Sequence, residues 1–254
     1  MVEESGLIIA RSKHKVLESV QKRGIMPWEI SWGKQGYGGR KGGLFFVWGV
    51  DPSPLAERAM TAMIRLYTNE KQVTPRIFYV CYAGTHTSVV ASALHLGVIS
   101  TEDIETLGYM ALTCIPYFDR RKTGDIGVSL NVGKDEYGSD VYVLGTGWPG
   151  LSLELCLCDL IELASPDARA CLCRVRGFLD FQARFGGFLS RRFNFVEPGR
   201  HIIARSLAKQ VPLLHQAARH CLDLSFKWKD NGSHTDGEVI LIDGCKQGRV
   251  GIQG

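Results

Sequence analysis

Residues 78–90 read F-Y-V-C-Y-A-G-T-H-T-S-V-V, so a thiol, a glycine, an imidazole and three hydroxyls fall between Cys81 and Ser88. Each of these types has a chemistry. Cys81 is a nucleophile once it is a thiolate, a form that a helix N-terminus favours. His86 titrates near neutral pH and suits the work of an acid, a base or a ligand. Gly84, Thr85, Thr87 and Ser88 can turn backbone N–H groups and hydroxyls toward a phosphate or carboxylate. Asp119, at the end of Pro116-Tyr117-Phe118-Asp119, is placed to orient His86 or to bind a metal. Arg191 and Arg192, which follow Gly186-Gly187, and Arg200 in Pro198-Gly199-Arg200 are the cations available to neutralise a bound anion. Every assignment has a plainer alternative. The hydroxyls can serve as helix caps, Cys81 as a small apolar residue closing a strand, and the arginines as solvated surface.

Such residues act together only if the backbone brings them together. Ile77-Phe78-Tyr79-Val80 is a continuous apolar run, as expected of a strand buried on both faces. Val89, Val90, Ala93, Leu94 and Leu96 recur at helical spacing after the loop. Strand, glycine loop and helix N-terminus together make an anion pocket, because unpaired N–H groups and the positive end of the helix converge there. His95, on the following helix, reads as a helix-surface residue.

The same grammar recurs elsewhere. Leu44–Gly49 reads as a strand, and after two prolines a helix is expected over Leu55–Tyr67. Gly127–Val132 and Asp140–Leu144 form a looped or hairpin pair, and Gly145-Thr146-Gly147-Trp148-Pro149-Gly150 leads into a helix over Leu151–Leu163. Ser100 with Asp103 has the spacing of a capped helix start. Ala170–Val175 alternates like a strand, Phe178–Phe185 reads as helical, His201–Ala204 as a strand and Lys209–Leu222 as an amphipathic helix. The expectation is an α/β fold in three layers, with a mainly parallel sheet built of strand–glycine loop–helix units and the strands ending at Gly49, Cys81 and Gly145 side by side. The glycine-rich, basic stretch Gly33–Gly43 lacks the lysine-serine ending of a P-loop and reads as a connector.

Composition narrows the class. The chain has 254 residues, 45% hydrophobic and 22% charged, with a net charge of +4. Its charges are scattered rather than striped, so nothing indicates nucleic acid as a partner. No window approaches the roughly 18–20 apolar residues of a membrane span. The first residues, M-V-E-E-S-G, are acidic where an export signal is basic, so the eight cysteines are expected as reduced thiols in the cytoplasm. Cys156 and Cys158 are two apart on a helix and face apart, and Cys171 with Cys173 has no second pair at zinc spacing, so no metal is expected. No known cofactor fingerprint occurs, and no cofactor is named.

The segments Cys81-Tyr82-Ala83-Gly84-Thr85-His86-Thr87-Ser88-Val89-Val90, Leu112–Asp119, Asp135-Glu136-Tyr137-Gly138 with Val141–Gly145, and Gly186–Arg192 resemble, in that order, the family catalogued as domain of unknown function 3189. That family occurs mainly in spore-forming Firmicutes, which implies a bacterial protein with a link to sporulation. It has no established activity. Ala83 departs from it, since a glycine is usual there. The resemblance spans about residues 76–222. It divides the chain into 1–75, a strand/helix extension expected to pack on the same sheet, 76–224, the family-like domain, and 225–254, a polar and flexible tail. A second, weaker resemblance is to low-molecular-weight tyrosine phosphatases, which read Cys, five residues, Arg, Ser; here Thr87 stands at the arginine.

Three functions follow as expectations. The first is binding of a phosphorylated small molecule or nucleotide at 78–90. The second is a non-catalytic regulatory or scaffold role, with the loop a mere connection. The third is a thiol-based phosphatase using Cys81, His86 and Asp119. Whether the protein is an enzyme stays open at this level.

Overall fold

The computed structural model describes residues 54–68, 74–148, 150–178, 196–230, 237–244 and 248–249. The expected strand Leu44–Gly49, the expected helix at Phe178–Phe185 beyond its first residue, the connector Gly33–Gly43, and Arg191 and Arg192 lie outside those residues. In chain order the described elements are α1 (Pro54–Thr68), β1 (Arg76–Cys81), α2 (Thr87–His95), α3 (Thr101–Leu107), α4 (Met110–Cys114), β2 (Leu130–Lys134), β3 (Asp140–Gly145), α5 (Leu151–Ala164), β4 (Arg169–Arg174), α6 (Val196–Ala208), α7 (Val211–Asp230), β5 (Glu238–Asp243) and β6 (Gly248–Arg249).

The strands form one mixed, mostly parallel sheet in the order β2-β3-β1-β4-β5-β6. β1 pairs in parallel with β3 and β4, and β4 with β5; β2 and β6 are antiparallel edges. All six residues of β1 are buried, as expected of a central strand covered on both faces. Its alternation divides the core. Ile77, Tyr79 and Cys81 face a cluster with α2, α6 and α7. Phe78 and Val80 face α1 and α5, through Met60, Met63, Leu157 and Ile161. Full burial of each such side chain contributes roughly 1.5–3 kcal/mol, so this strand is the anchor of the sheet.

The parallel strands run β3-β1-β4-β5 in space, so the chain goes from β1 to one side and then crosses back to the other. That reversal is a topological switch point, and the crevice outside the carboxyl ends of β1 and β4 is where open α/β sheets bind ligands. Cys81 and Gly145 are register partners at this end. The step from β3 to β4 is carried by α5 on one face. Between β4 and β5 in the chain, α6 and α7 pack on the opposite face.

Three expectations need correction. Ile202-Ile203-Ala204, β-branched and strand-like in isolation, lies within α6, because Ile203, Ala204 and Leu207 fall on one buried helical face. The residues read as a polar tail begin inside α7, and Val239–Ile242 is a sheet strand whose apolar residues close over β4. His95 is buried rather than on a helix surface, because α7 covers that side of α2. The Ser100–Asp103 capping box is present as read.

Candidate functional site

β1 ends on Cys81 and the chain must turn immediately into α2. Gly84 makes the turn at φ +68°, a conformation that costs an L-residue roughly 1–2 kcal/mol. A Cβ there would also lie 2.8 Å from both Arg121 Nη1 and the Gly145 backbone nitrogen. The loop is thus folded tightly against the end of β3, and glycine is the residue that fits. The two loops are tied as well: Thr146 N–H donates to Cys81 O at 3.0 Å and Gly147 N–H to Tyr82 O at 2.9 Å.

The fold curls the loop around the sulfur. Gly84 N–H donates to Cys81 Sγ at 3.1 Å, and Ser88 Oγ lies 3.2 Å from it. Burial by itself would push this thiol up, yet the Ser88 hydroxyl and N–H, the Thr87 hydroxyl and the Gly84 N–H outweigh it and hold Cys81 below the usual thiol range. At Cys156 and Cys158 burial prevails, pushing the first up to about 11 and the second higher still. Thr87 Oγ1 acts on the sulfur as a nearby dipole, but it is completely buried and closes no hydrogen bond of good geometry, so one hydroxyl of the loop is unspent. Thr85 is engaged instead, its hydroxyl accepting the Arg121 N–H at 3.4 Å.

His86 is the N-cap residue of α2, but its side chain does not cap the helix. Its Nε2 pairs with Asp119 Oδ1 at 2.8 Å, with both side chains more than nine-tenths buried. The turn that presents Asp119 is strained: Tyr117 and Asp119 have φ of +67° and +54°. Asp119 N–H donates to Thr85 O, which locks the turn to the loop. Asp119 Oδ2 is buried without a partner.

Of the three arginines expected here, only Arg200 is among the described residues. Its Nη2 donates to the carbonyls of Thr113 and Phe118, so it braces the Asp119 turn and is committed to backbone. Sequence reasoning overlooked two others. Arg121 reaches over Gly84, but it donates to the carbonyls of Gly84, Val143, Asp125 and Val128 and acts as a clamp between loops. Arg176, just beyond β4, lies over the Tyr82 ring, 5.0 Å from its centroid, and against Gly150. Its position two residues past a central strand was the signal available in the sequence. Beside it, Glu154 is wholly buried in an ion pair with Arg174 and accepts from Thr146 Oγ1 at 2.9 Å. Burial holds the Glu154 carboxyl above the usual range, although Arg174 pulls it down.

His95 belongs to a separate cluster. Its Nε2 lies 3.1 Å from Asp135 Oδ2 and its Nδ1 2.7 Å from the Tyr79 hydroxyl. Asp135 Oδ1 accepts the Tyr137 and Ser139 N–H groups. Among the described residues, no group of three or more potential ligands is arranged for a metal, and no helix is long and apolar enough to cross a membrane.

Fold and site together define a parallel α/β protein whose central strand presents a hydrogen-bonded thiol at the switch point. The profile of the family described as protein of unknown function DUF3189 matches residues 76–221, and the chain belongs to that family. The matched block takes in β1 through most of α7 and stops before β5, so the last parallel strand lies beyond it. Neither the curated proteins nor the solved structures contain a match to this chain.

Proposed function

We propose that the strand–loop–helix at 78–90 is an anion site for a phosphorylated small molecule or nucleotide, in a three-layer fold whose glycine loop binds the phosphate. The observation that carries this reading is the convergence of the Gly84 N–H, the Ser88 hydroxyl and N–H and the Thr87 hydroxyl on one buried point, strongly enough to favour a negative sulfur against its burial. An environment that stabilises one anion provides the dipoles for another beside it. The Thr87 hydroxyl, which closes no hydrogen bond of good geometry, supports the reading, whereas the unpaired Asp119 Oδ2 accepts only from a donor such as a ligand hydroxyl. Among the described residues Arg176, rather than the backbone-bound Arg200, is the cation at the mouth.

The test is a thermal-shift screen of the purified chain with inorganic phosphate, sugar phosphates and nucleoside phosphates. A ligand at a hundredfold excess over Kd stabilises by about 2.7 kcal/mol, and Thr87→Val with Ser88→Ala should remove the shift. No shift across the panel would overturn the reading and leave the scaffold alternative.

The depressed Cys81 thiol also favours a second reading, thiol-based phosphoryl transfer with His86–Asp119 as proton donor to the leaving group. Thr87 at the arginine position and the commitment of Arg121 to carbonyls weigh against it. Loss of aryl phosphate hydrolysis in Cys81→Ser would support this reading; hydrolysis unchanged in that variant would refute it.

A further inference from the structure

Three side chains stand together at the rim of the anion site: Tyr82, Trp148 and Arg176, the last already assigned as the cation at its mouth. Trp148 is 85% exposed, the most open large hydrophobic side chain among the described residues. It meets the Tyr82 ring edge-on, with centroids 6.4 Å apart and planes at 86°. The guanidinium of Arg176 covers a face of the same Tyr82 ring. Single exposed hydrophobics are ordinary on protein surfaces. This one is continuous with the site, because Gly147, its neighbour in the chain, donates to the carbonyl of Tyr82, and Tyr82 follows Cys81 directly. The three residues also come from the three strand ends that define the crevice: Tyr82 after β1, Trp148 after β3 and Arg176 after β4.

Their chemistry is specific. An indole left in water offers a flat π surface, and a neighbouring guanidinium offers a cation that suits a phosphate oxygen or stacks on a ring. A sugar phosphate offers the first of these only C–H groups, whereas an aromatic ring matches it face to face. We infer that the ligand is a phosphate monoester whose organic part carries an aromatic ring, stacked on Trp148 and flanked by Arg176, with its phosphate at the Cys81–Ser88 loop. A nucleoside monophosphate and an aryl phosphate share that chemistry. The inference rests on the anion-site reading and adds the class of ligand to it.

The experiment compares affinities of the full chain for AMP, phenyl phosphate and ribose 5-phosphate by calorimetry, in wild type, Trp148→Ala and Trp148→Phe. Wild type should bind at least one of the two aromatic esters on the order of tenfold more tightly than ribose 5-phosphate, the scale of one stacked base. Trp148→Ala should abolish that preference and leave ribose 5-phosphate affinity unchanged, while Trp148→Phe should keep most of the preference. Preference for AMP alone points to a nucleotide, and an equal preference for phenyl phosphate points to any aryl ester. Equal wild-type affinity for all three would overturn this inference while the phosphate reading survives. So would a Trp148→Ala variant that weakens every ligand alike or none. Binding of none of the three would overturn both. The wild-type ratio needs no variant, so the test holds even if Trp148→Ala folds poorly.

Discussion

One helix carries a histidine–aspartate pair at each end, and the two pairs differ in what they leave over. At the C-terminal end, His95 spends both nitrogens. Nε2 donates to Asp135, Nδ1 is hydrogen-bonded with the Tyr79 hydroxyl, and the second Asp135 oxygen is saturated by two backbone N–H groups. At the N-terminal end, His86 spends Nε2 on Asp119, its Nδ1 finds no partner among the described residues, and Asp119 Oδ2 is buried and unpaired. The first pair is a closed circuit, as a folded core demands of its polar groups. The second keeps unused valence beside a polarised thiol, in a turn strained at Tyr117 and Asp119. Leftover hydrogen-bonding capacity, rather than the pairing itself, is what distinguishes the two pairs.

The largest effect should come from breaking the closed pair. His95→Ala strands a buried carboxylate and should cost about 3–5 kcal/mol by urea unfolding. His86→Ala should cost less, about 1–3 kcal/mol, because Asp119, although its side chain is covered, sits in a turn whose neighbours Tyr117 and Arg120 are exposed. Equal losses would abolish the distinction.

Next comes the loop. Gly84→Ala imposes a left-handed alanine and a contact with the Gly145 backbone, so a loss of roughly 2 kcal/mol or more is expected. Gly97→Ala provides the control: it shares the positive φ but meets open space, and it should lose only the backbone part. If the two variants are equally stable, the packing of the loop against β3 is not as described.

Acid should sharpen the contrast. Burial would push Asp135 up, but hydrogen bonds from His95, Ser225 and the Ser139 N–H hold it below the usual carboxylate range. A depressed carboxyl contributes stability that is fully present above its unfolded pKa of about 3.9 and is lost as pH falls through the folded value. The stability gap between wild type and Asp135→Asn should therefore narrow below about pH 4; a gap independent of pH would contradict this.

The smallest effect concerns the thiol. Cys81 is held low, so its contribution is present above the unfolded thiol pKa of about 8.5 and fades as pH falls through the folded one. The stability of wild type relative to Cys81→Ser should rise with pH up to that point and then level off. Ser88→Ala, by removing a donor, should move the rise to higher pH. A Ser88→Ala titration that coincides with wild type would show that the hydroxyl does not hold the sulfur.

What could be read from the sequence was whatever neighbours in the chain decide. The run Ile77–Val80, the glycine at 84, the Ser100 cap and the apolar spacing of Leu151–Leu163 each encode a local structure that the fold keeps. Asp119 was named as a residue to orient His86, and the two lie together. The misreadings share a different cause. His95 is buried by α7, and the run Val239–Ile242 becomes a strand because β4 offers it an edge; both partners are remote in sequence. Ile202-Ile203 favours extended chain locally, and the packing of Ile203 and Leu207 overrides that preference. The rim formed by Tyr82, Trp148 and Arg176 exists only after three strand ends are brought side by side.

α2 has no outward side: all nine residues from Thr87 to His95 are buried. Its consequence lies in time. A helix with an open face frays and breathes on its own, whereas one enclosed on every side releases its amides only when the surrounding core opens. The α2 amides should therefore be among the slowest in the chain to exchange with deuterium. The loop that hangs from their N-terminus is anchored to that enclosed helix.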